Sequence, residues 1–328
     1  MTHAPDSISV NEAAAPLVSA LLRDAASLRL GVDRRASGCT VIDAGVDCSG
    51  CLEAGQRIAE ISLAGLGHVS LLPAPFLEHW PWQVVARTRD PLLACIASQM
   101  AGWRLSDEGA RFEAIGSGPA RALIAQEKEF AQVGYRDTAA YGCLVLEADA
   151  LPPDSVIDEL ARDCGIAADR LTLIVSPTQS LSGVVQIAAR VLSTALLKMQ
   201  SVGLPVTSVV DAIGSAPLPP AGGDAKLAMG RTNDALLYGG QAHLFVSGDD
   251  ALARAIAEQV PSCTAKGYGK PFLQLYEEAG GFYKLDPAVF APAKIIATSL
   301  QSARSHRGGR IGAAMLERSF ALSEEKGN

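Results

Sequence analysis

Aromatic side chains make up only 5% of this 328-residue chain, so its core must be built mainly from Ala, Leu, Val and Ile. Charged residues are also few, 19% against 48% hydrophobic, a balance that excludes global disorder. No apolar run reaches the ~18 residues of a membrane span, and the first residues lack the charged-then-apolar pattern of a signal peptide. The expectation is a cytoplasmic protein with no membrane partner. Positive charge is short as well: the net charge is −7 and the pI about 5.3, which excludes the basic face of a nucleic-acid binder. The one basic cluster, Arg304 to Arg310 with His306, reads as a solvated loop. Five scattered His and seven Cys contain one lone C-x-x-C, Cys48-Ser-Gly-Cys51. No second pair stands at zinc-ribbon spacing, so neither a metal site nor a disulfide framework is expected. Reduced thiols suit the cytoplasm.

What is present is an alternation of strand and helix signals. Ser9 and Glu12 stand at capping-box spacing before a helical stripe of Val10, Ala14, Leu17, Val18, Leu21 and Leu28, with Pro16 inside it. Val41–Val46, His68–Leu72, Gln83–Thr88, Tyr141–Leu146, Leu171–Val175 and His243–Val246 read as strands. Helices are predicted over Glu53–Ala64, from Pro91 to about Trp103, from the Gly116 turn through Lys128, from Pro152 to Gly165, over Gln179–Gln200 and over Asp249–Gln259. The rest reads as loop-rich. The fold class is therefore α/β. The length suits two domains of roughly 150 residues, divided near Leu151–Pro153 into lobes 1–150 and 151–328, with the chain free to cross between them more than once.

Four stretches could carry chemistry. The proline loop Pro217-Leu-Pro-Pro220 runs through Asp224 into Arg231, Thr232, Asn233 and Asp234. A fork of donors, a hydroxyl, an amide and a carboxylate within about one turn suit a polar or anionic ligand; the plainer reading is a local Arg231–Asp234 ion pair. Gly116-Ser117-Gly118 resembles a dinucleotide fingerprint, but Arg121 stands where its third glycine belongs. That turn is either an anion or ring-edge site with Arg121, or a tight loop-to-helix turn. In the long predicted helix, Arg190 and Ser193 are neighbours on one face; Arg190 either snorkels to water or points into a polar cleft. Asp43 and Asp47 flank Gly45 at a strand end, as ligand groups or as ordinary turn residues.

Taken in order, Ser9-Val-Asn-Glu12, Val41-Ile-Asp-Ala-Gly45, Leu52-Glu-Ala-Gly55, Gly116-Ser-Gly-Pro-Ala-Arg-Ala122, Pro177-Thr-Gln-Ser-Leu181, Ala216-Pro-Leu-Pro-Pro220, Met229-Gly-Arg-Thr-Asn-Asp234, Tyr238-Gly-Gly240 and Tyr268-Gly-Lys-Pro-Phe272 resemble the methenyltetrahydromethanopterin cyclohydrolase family over nearly the whole chain. The resemblance implies two α/β lobes with a ligand cleft between them, a homotrimer, and a pterin substrate with no metal or redox cofactor. It implies conversion of 5,10-methenyl-tetrahydromethanopterin to its 5-formyl form; in a bacterium the carrier would be the dephospho form. The family pattern places an Arg-x-x-Glu pair on the long helix; Arg190 matches and Ser193 stands at the Glu position. The catalytic candidates are thus Arg190 and Ser193, with Asp43 or Asp234 supplying a carboxylate. Gly116, Ser117, Gly118, Arg121, Asp224, Arg231, Thr232, Asn233 and Asp234 are the candidates for binding substrate. The alternatives are a non-catalytic pterin-binding homologue and an enzyme acting on a related pterin.

Overall fold

A computed structural model describes residues 8–74 and 80–321. Twelve strands form two six-stranded mixed sheets. The first sheet holds β1 (Gly31–Arg34), β2 (Thr40–Asp43), β5 (Trp103–Asp107), β6 (Phe112–Ser117), β7 (Gly142–Glu147) and β8 (Leu171–Val175), in the order β1-β2-β8-β7-β6-β5. The second holds β3 (Gly67–Pro73), β4 (Trp82–Thr88), β9 (Val209–Pro217), β10 (Gln241–Val246), β11 (Lys294–Ser299) and β12 (Ser305–Gly309), in the order β12-β11-β10-β9-β4-β3. The α/β class holds. The chain passes from one sheet to the other three times, after β2, β4 and β8.

In the first sheet β2, β8 and β7 run parallel, and as buried parallel strands they are near-continuously apolar. Helices α1 (Val10–Arg23) and α2 (Leu52–Ser62) cover one face through Leu21, Ile58 and Ile61. Short α3 (Arg121–Ile124) and α4 (Lys128–Val133) follow β6, and α5 (Asp154–Cys164) covers the other face through Ile157 and Leu160. Ser9 caps α1 by accepting from the Glu12 amide, as the capping box predicts, and donates to Asp137. Pro16 is accommodated within that helix.

Strands β10 and β11 alternate strictly in burial. One face of the second sheet therefore meets the largest core, made with α2, α6 (Leu181–Ala188), α7 (Val191–Ser201) and a π-helix at Leu92–Gln99. Leu192 and Leu196 of α7 are fully buried there, each worth about 1.5–3 kcal/mol of burial. Gly55 lets α2 approach α6: a Cβ there would stand 2.6 Å from the Ser182 carbonyl. Helices α8 (Ala225–Asp234), α9 (Asp250–Gln259), α10 (Phe272–Ala279) and α11 (Ala313–Phe320) complete the fold.

Five expectations are corrected. The helix predicted over Gln179–Gln200 is two helices, α6 and α7, bent by 44° at Ala189–Arg190. Gly116 and Ser117 end strand β6 rather than opening a helix, and the helix that follows is only four residues long. The segment from Pro91 is a π-helix that stops at Gln99. The basic Arg304–Arg310 segment is mostly edge strand β12, and the supposedly loop-rich C-terminal part contains α10, β11, β12 and α11. Residues 75–79, in the connection between β3 and β4, lie outside the described residues.

Candidate active site

A cavity of about 480 Å³ opens between the β5–β6 edge of the first sheet and the helices over the second. Arg190 stands in its wall because the chain bends there, ending α6 and starting α7 on a new axis. Its guanidinium is buried, with Nη1 donating to the Gln99 carbonyl at 2.6 Å. Nη2 donates to Ser117 Oγ at 2.9 Å and to Gln186 Oε1 at 2.8 Å, and lies 3.0 Å from Glu147 Oε1. Burial pulls this arginine below its ordinary pKa, and the Glu147 carboxylate opposes that shift. Arg190 is therefore aimed inward and does not snorkel.

Glu147 is the carboxylate that the sequence reading missed. It is the last residue of β7, at the C-terminal end of a parallel strand, where α/β folds place ligand groups. It lines the cavity with its side chain 16% exposed, open enough to reach a substrate and close enough to Arg190 to be held by it. The available signal was a charged residue directly after the apolar run Cys143-Leu-Val-Leu146.

Ser193, one turn on from Arg190, also lines the cavity and donates to Gln99 Oε1 at 2.6 Å. Gln99 is thus shared: its carbonyl takes Arg190 and its side chain takes Ser193. Beyond them the wall is aromatic. Tyr276, Phe282, Tyr283 and Phe290 supply flat apolar surface in a chain otherwise poor in rings.

The predicted ligand cluster divides. Thr232 and Asn233 line the cavity, though each side chain already donates to a backbone carbonyl of its own helix. Asp224 is the exposed N-cap of α8, accepting from the Leu227 amide. Arg231 does not line the cavity and donates to the Ser319 carbonyl. Asp234 is buried with the Phe272 amide and Ser319 Oγ as partners, tying α8 to α10 and α11. Burial raises its pKa to about 6. The neighbouring glycine and proline are explained by packing: a Cβ on Gly239 would stand 2.4 Å from the Pro217 ring.

The Gly116 turn also lies outside the cavity lining. The Gly118 amide is spent on the Ser98 carbonyl, and Ser117 reaches the site only by accepting from Arg190. Arg121 is fully buried, donating to Glu127 at 2.7 Å and to the Ile96 and Ser98 carbonyls at 3.2 Å. Asp43 is likewise committed, its carboxylate accepting the Gly45, Val46, Asp47 and Cys48 amides. Those bonds hold its pKa down against the desolvation that would raise it. Cys48 and Cys51 are free thiols, and Cys51 Sγ caps α2.

Residues 9–320 match the family described as Cyclohydrolase (MCH). A methenyltetrahydromethanopterin cyclohydrolase of Methylobacterium sp. (strain 4-46) is 49% identical over 95% of this chain and 98% of its own.

The chain belongs to the methenyltetrahydromethanopterin cyclohydrolase family.

Other cyclohydrolases of that name are similarly related. That of Methylobacillus flagellatus is 46% identical over 96% of both chains. That of Methanothermobacter marburgensis is 37% identical over 96% of this chain and 100% of its own. Among the described residues no group of His, Cys, Asp and Glu could hold a metal ion, and no single helix is long and apolar enough to cross a membrane.

Proposed function

We propose that this chain hydrolyses 5,10-methenyl-tetrahydromethanopterin to the 5-formyl form, with Glu147 as the base. The observation that carries the proposal is the Arg190–Glu147 pair in the wall of a 480 Å³ cavity, in a chain of this family. The volume suits a bicyclic ring, and the aromatic wall suits its flat faces.

The methenyl carbon bridges two nitrogens and shares their positive charge. The Glu147 carboxylate attracts that cation and takes a proton from the attacking water, while the Arg190 guanidinium 3.0 Å away orients it. The water oxygen bonds to the methenyl carbon, giving a neutral hydroxyl adduct. The C–N10 bond then breaks, its electron pair goes to N10, and the proton on Glu147 follows it there. The adduct hydroxyl gives up its own proton to solvent, leaving the formyl group on N5. One water is consumed and one proton released. The carbon keeps its oxidation state, so the reaction calls on no redox cofactor.

We further infer a homotrimer in the cytoplasm. Val85, Ile213, Phe245 and Ile296 give the uncovered face of the second sheet apolar surface to bury between copies. All seven cysteines are free thiols, which fits a reducing compartment. The test is to mix purified protein, its mass in solution recorded, with the methenyl carrier and follow loss of the methenyl chromophore. Turnover far above the uncatalysed rate is expected; tight binding without turnover would instead make the chain a pterin carrier.

A further inference from the structure

The direction of the hydrogen bonds behind Ser193 can be read from their lengths. Ser62 Oγ donates to the Ala59 carbonyl at 2.7 Å within α2, so its proton is committed. Gln99 then meets Ser62 Oγ at 3.2 Å and Ser193 Oγ at 2.6 Å. The longer contact suits an N–H donor and the shorter an O–H donor. The Gln99 amide is therefore oriented with Nε2 on Ser62 and Oε1 toward Ser193, and Ser193 must spend its only proton on Gln99. Gln99 is fully buried at the end of the π-helix. Arg121 holds the Ile96 and Ser98 carbonyls of that helix and Arg190 holds the Gln99 carbonyl. The amide thus sits on a clamped backbone.

We propose that Gln99 is a positioning residue for the hydrolysis, fixing Ser193 as a pure hydrogen-bond acceptor toward the cavity. This rests on the reading of the site given above. A water between Ser193 Oγ and Glu147 gives one hydrogen to each, and its lone pair is left facing the methenyl carbon. The proton on the Glu147 side moves as the C–O bond forms; the other stays on the new hydroxyl until the adduct collapses. Ser193 neither gains nor loses a proton, so it needs no base of its own. Cys95 also lies within reach of Ser193, but burial pushes its thiol up to about 12 and keeps it neutral, and a neutral thiol sulfur is a weaker acceptor than the Gln99 amide oxygen.

The experiment is a cycle of Gln99→Met, Ser193→Ala and the double variant, with kcat and KM measured separately, together with neutron diffraction of the deuterated wild type. Each single change is expected to lower kcat about tenfold, the worth of one hydrogen bond, with KM within about twofold. The double variant is expected to lose no more than either single one, since the two residues act as one unit. Additive losses, or Ser193→Ala at the wild-type rate, would overturn the proposal. The neutron map should place the Ser193 deuterium toward Gln99 Oε1; a deuterium pointing into the cavity sinks the idea even if the variants fail to fold. An inactive wild type with that deuterium in place would count against the hydrolysis and leave the orientation of Gln99 standing.

Discussion

Two buried arginines make an instructive pair. Arg121 and Arg190 each face a glutamate, at 2.7 and 3.0 Å, and each donates to carbonyls of the same π-helix. Burial lowers the pKa of both. On charge, burial and pairing they are nearly interchangeable, yet only Arg190 and its partner Glu147 line the cavity. Arg121 instead packs against Phe130, with its guanidinium carbon 5.3 Å from the ring centroid. A buried ion pair is therefore not itself a sign of chemistry. What separates the two is whether the carboxylate has an open side facing a void large enough for a ligand.

The sharpest way to break that comparison is to neutralise each carboxylate. Both changes leave a buried arginine without its counter-charge, so each should cost about 3–4 kcal/mol in urea unfolding. Only Glu147→Gln should also lower kcat, by about 10²–10⁴, while Glu127→Gln keeps turnover wherever it remains folded. Similar profiles for the two variants would erase the distinction.

Asp234 sharpens the comparison from another side, as a buried carboxylate with hydrogen-bond donors but no arginine. Its folded pKa of about 6 lies above the usual 3.8, so its contribution is fullest below pH 4 and is lost as the pH rises through 6. The loss amounts to about 2–3 kcal/mol. Asp234→Asn removes that dependence, so the stability of the variant relative to wild type should climb between pH 4 and 7. A flat difference in urea unfolding over that range would contradict the assignment.

The sequence made some of this legible and concealed the rest for physical reasons. Ser9, Glu12 and the stripe from Val10 to Leu21 announce α1 because capping and period are local. Strand β10 and helix α9 are legible for the same reason. Strands β5 and β6 were missed because Arg104, Ser106 and Glu113 break their apolar pattern on a half-exposed edge. Strand β9 was missed because Gly214, Ser215 and Pro217 look like turn residues, although there they pack and pair. Nothing in the residues near Arg190 announces the bend, which involves neither proline nor glycine. Arg190 and Ser193 could be picked out because they share a helical face. Glu147 could not, since only the parallel pairing of β7 with β8 brings it to them. The cluster from Arg231 to Asp234 misled because its polar groups are mostly consumed by their own surroundings.

The interleaving of the two sheets bears on how the chain is made. Strand β2 leaves the ribosome with only β1 beside it, and its other neighbour, β8, follows about 130 residues later. At roughly 5–20 residues per second that is on the order of ten seconds. For that interval an apolar strand edge waits without its mate, so nascent chains of this protein should be more dependent on chaperones than their modest size suggests.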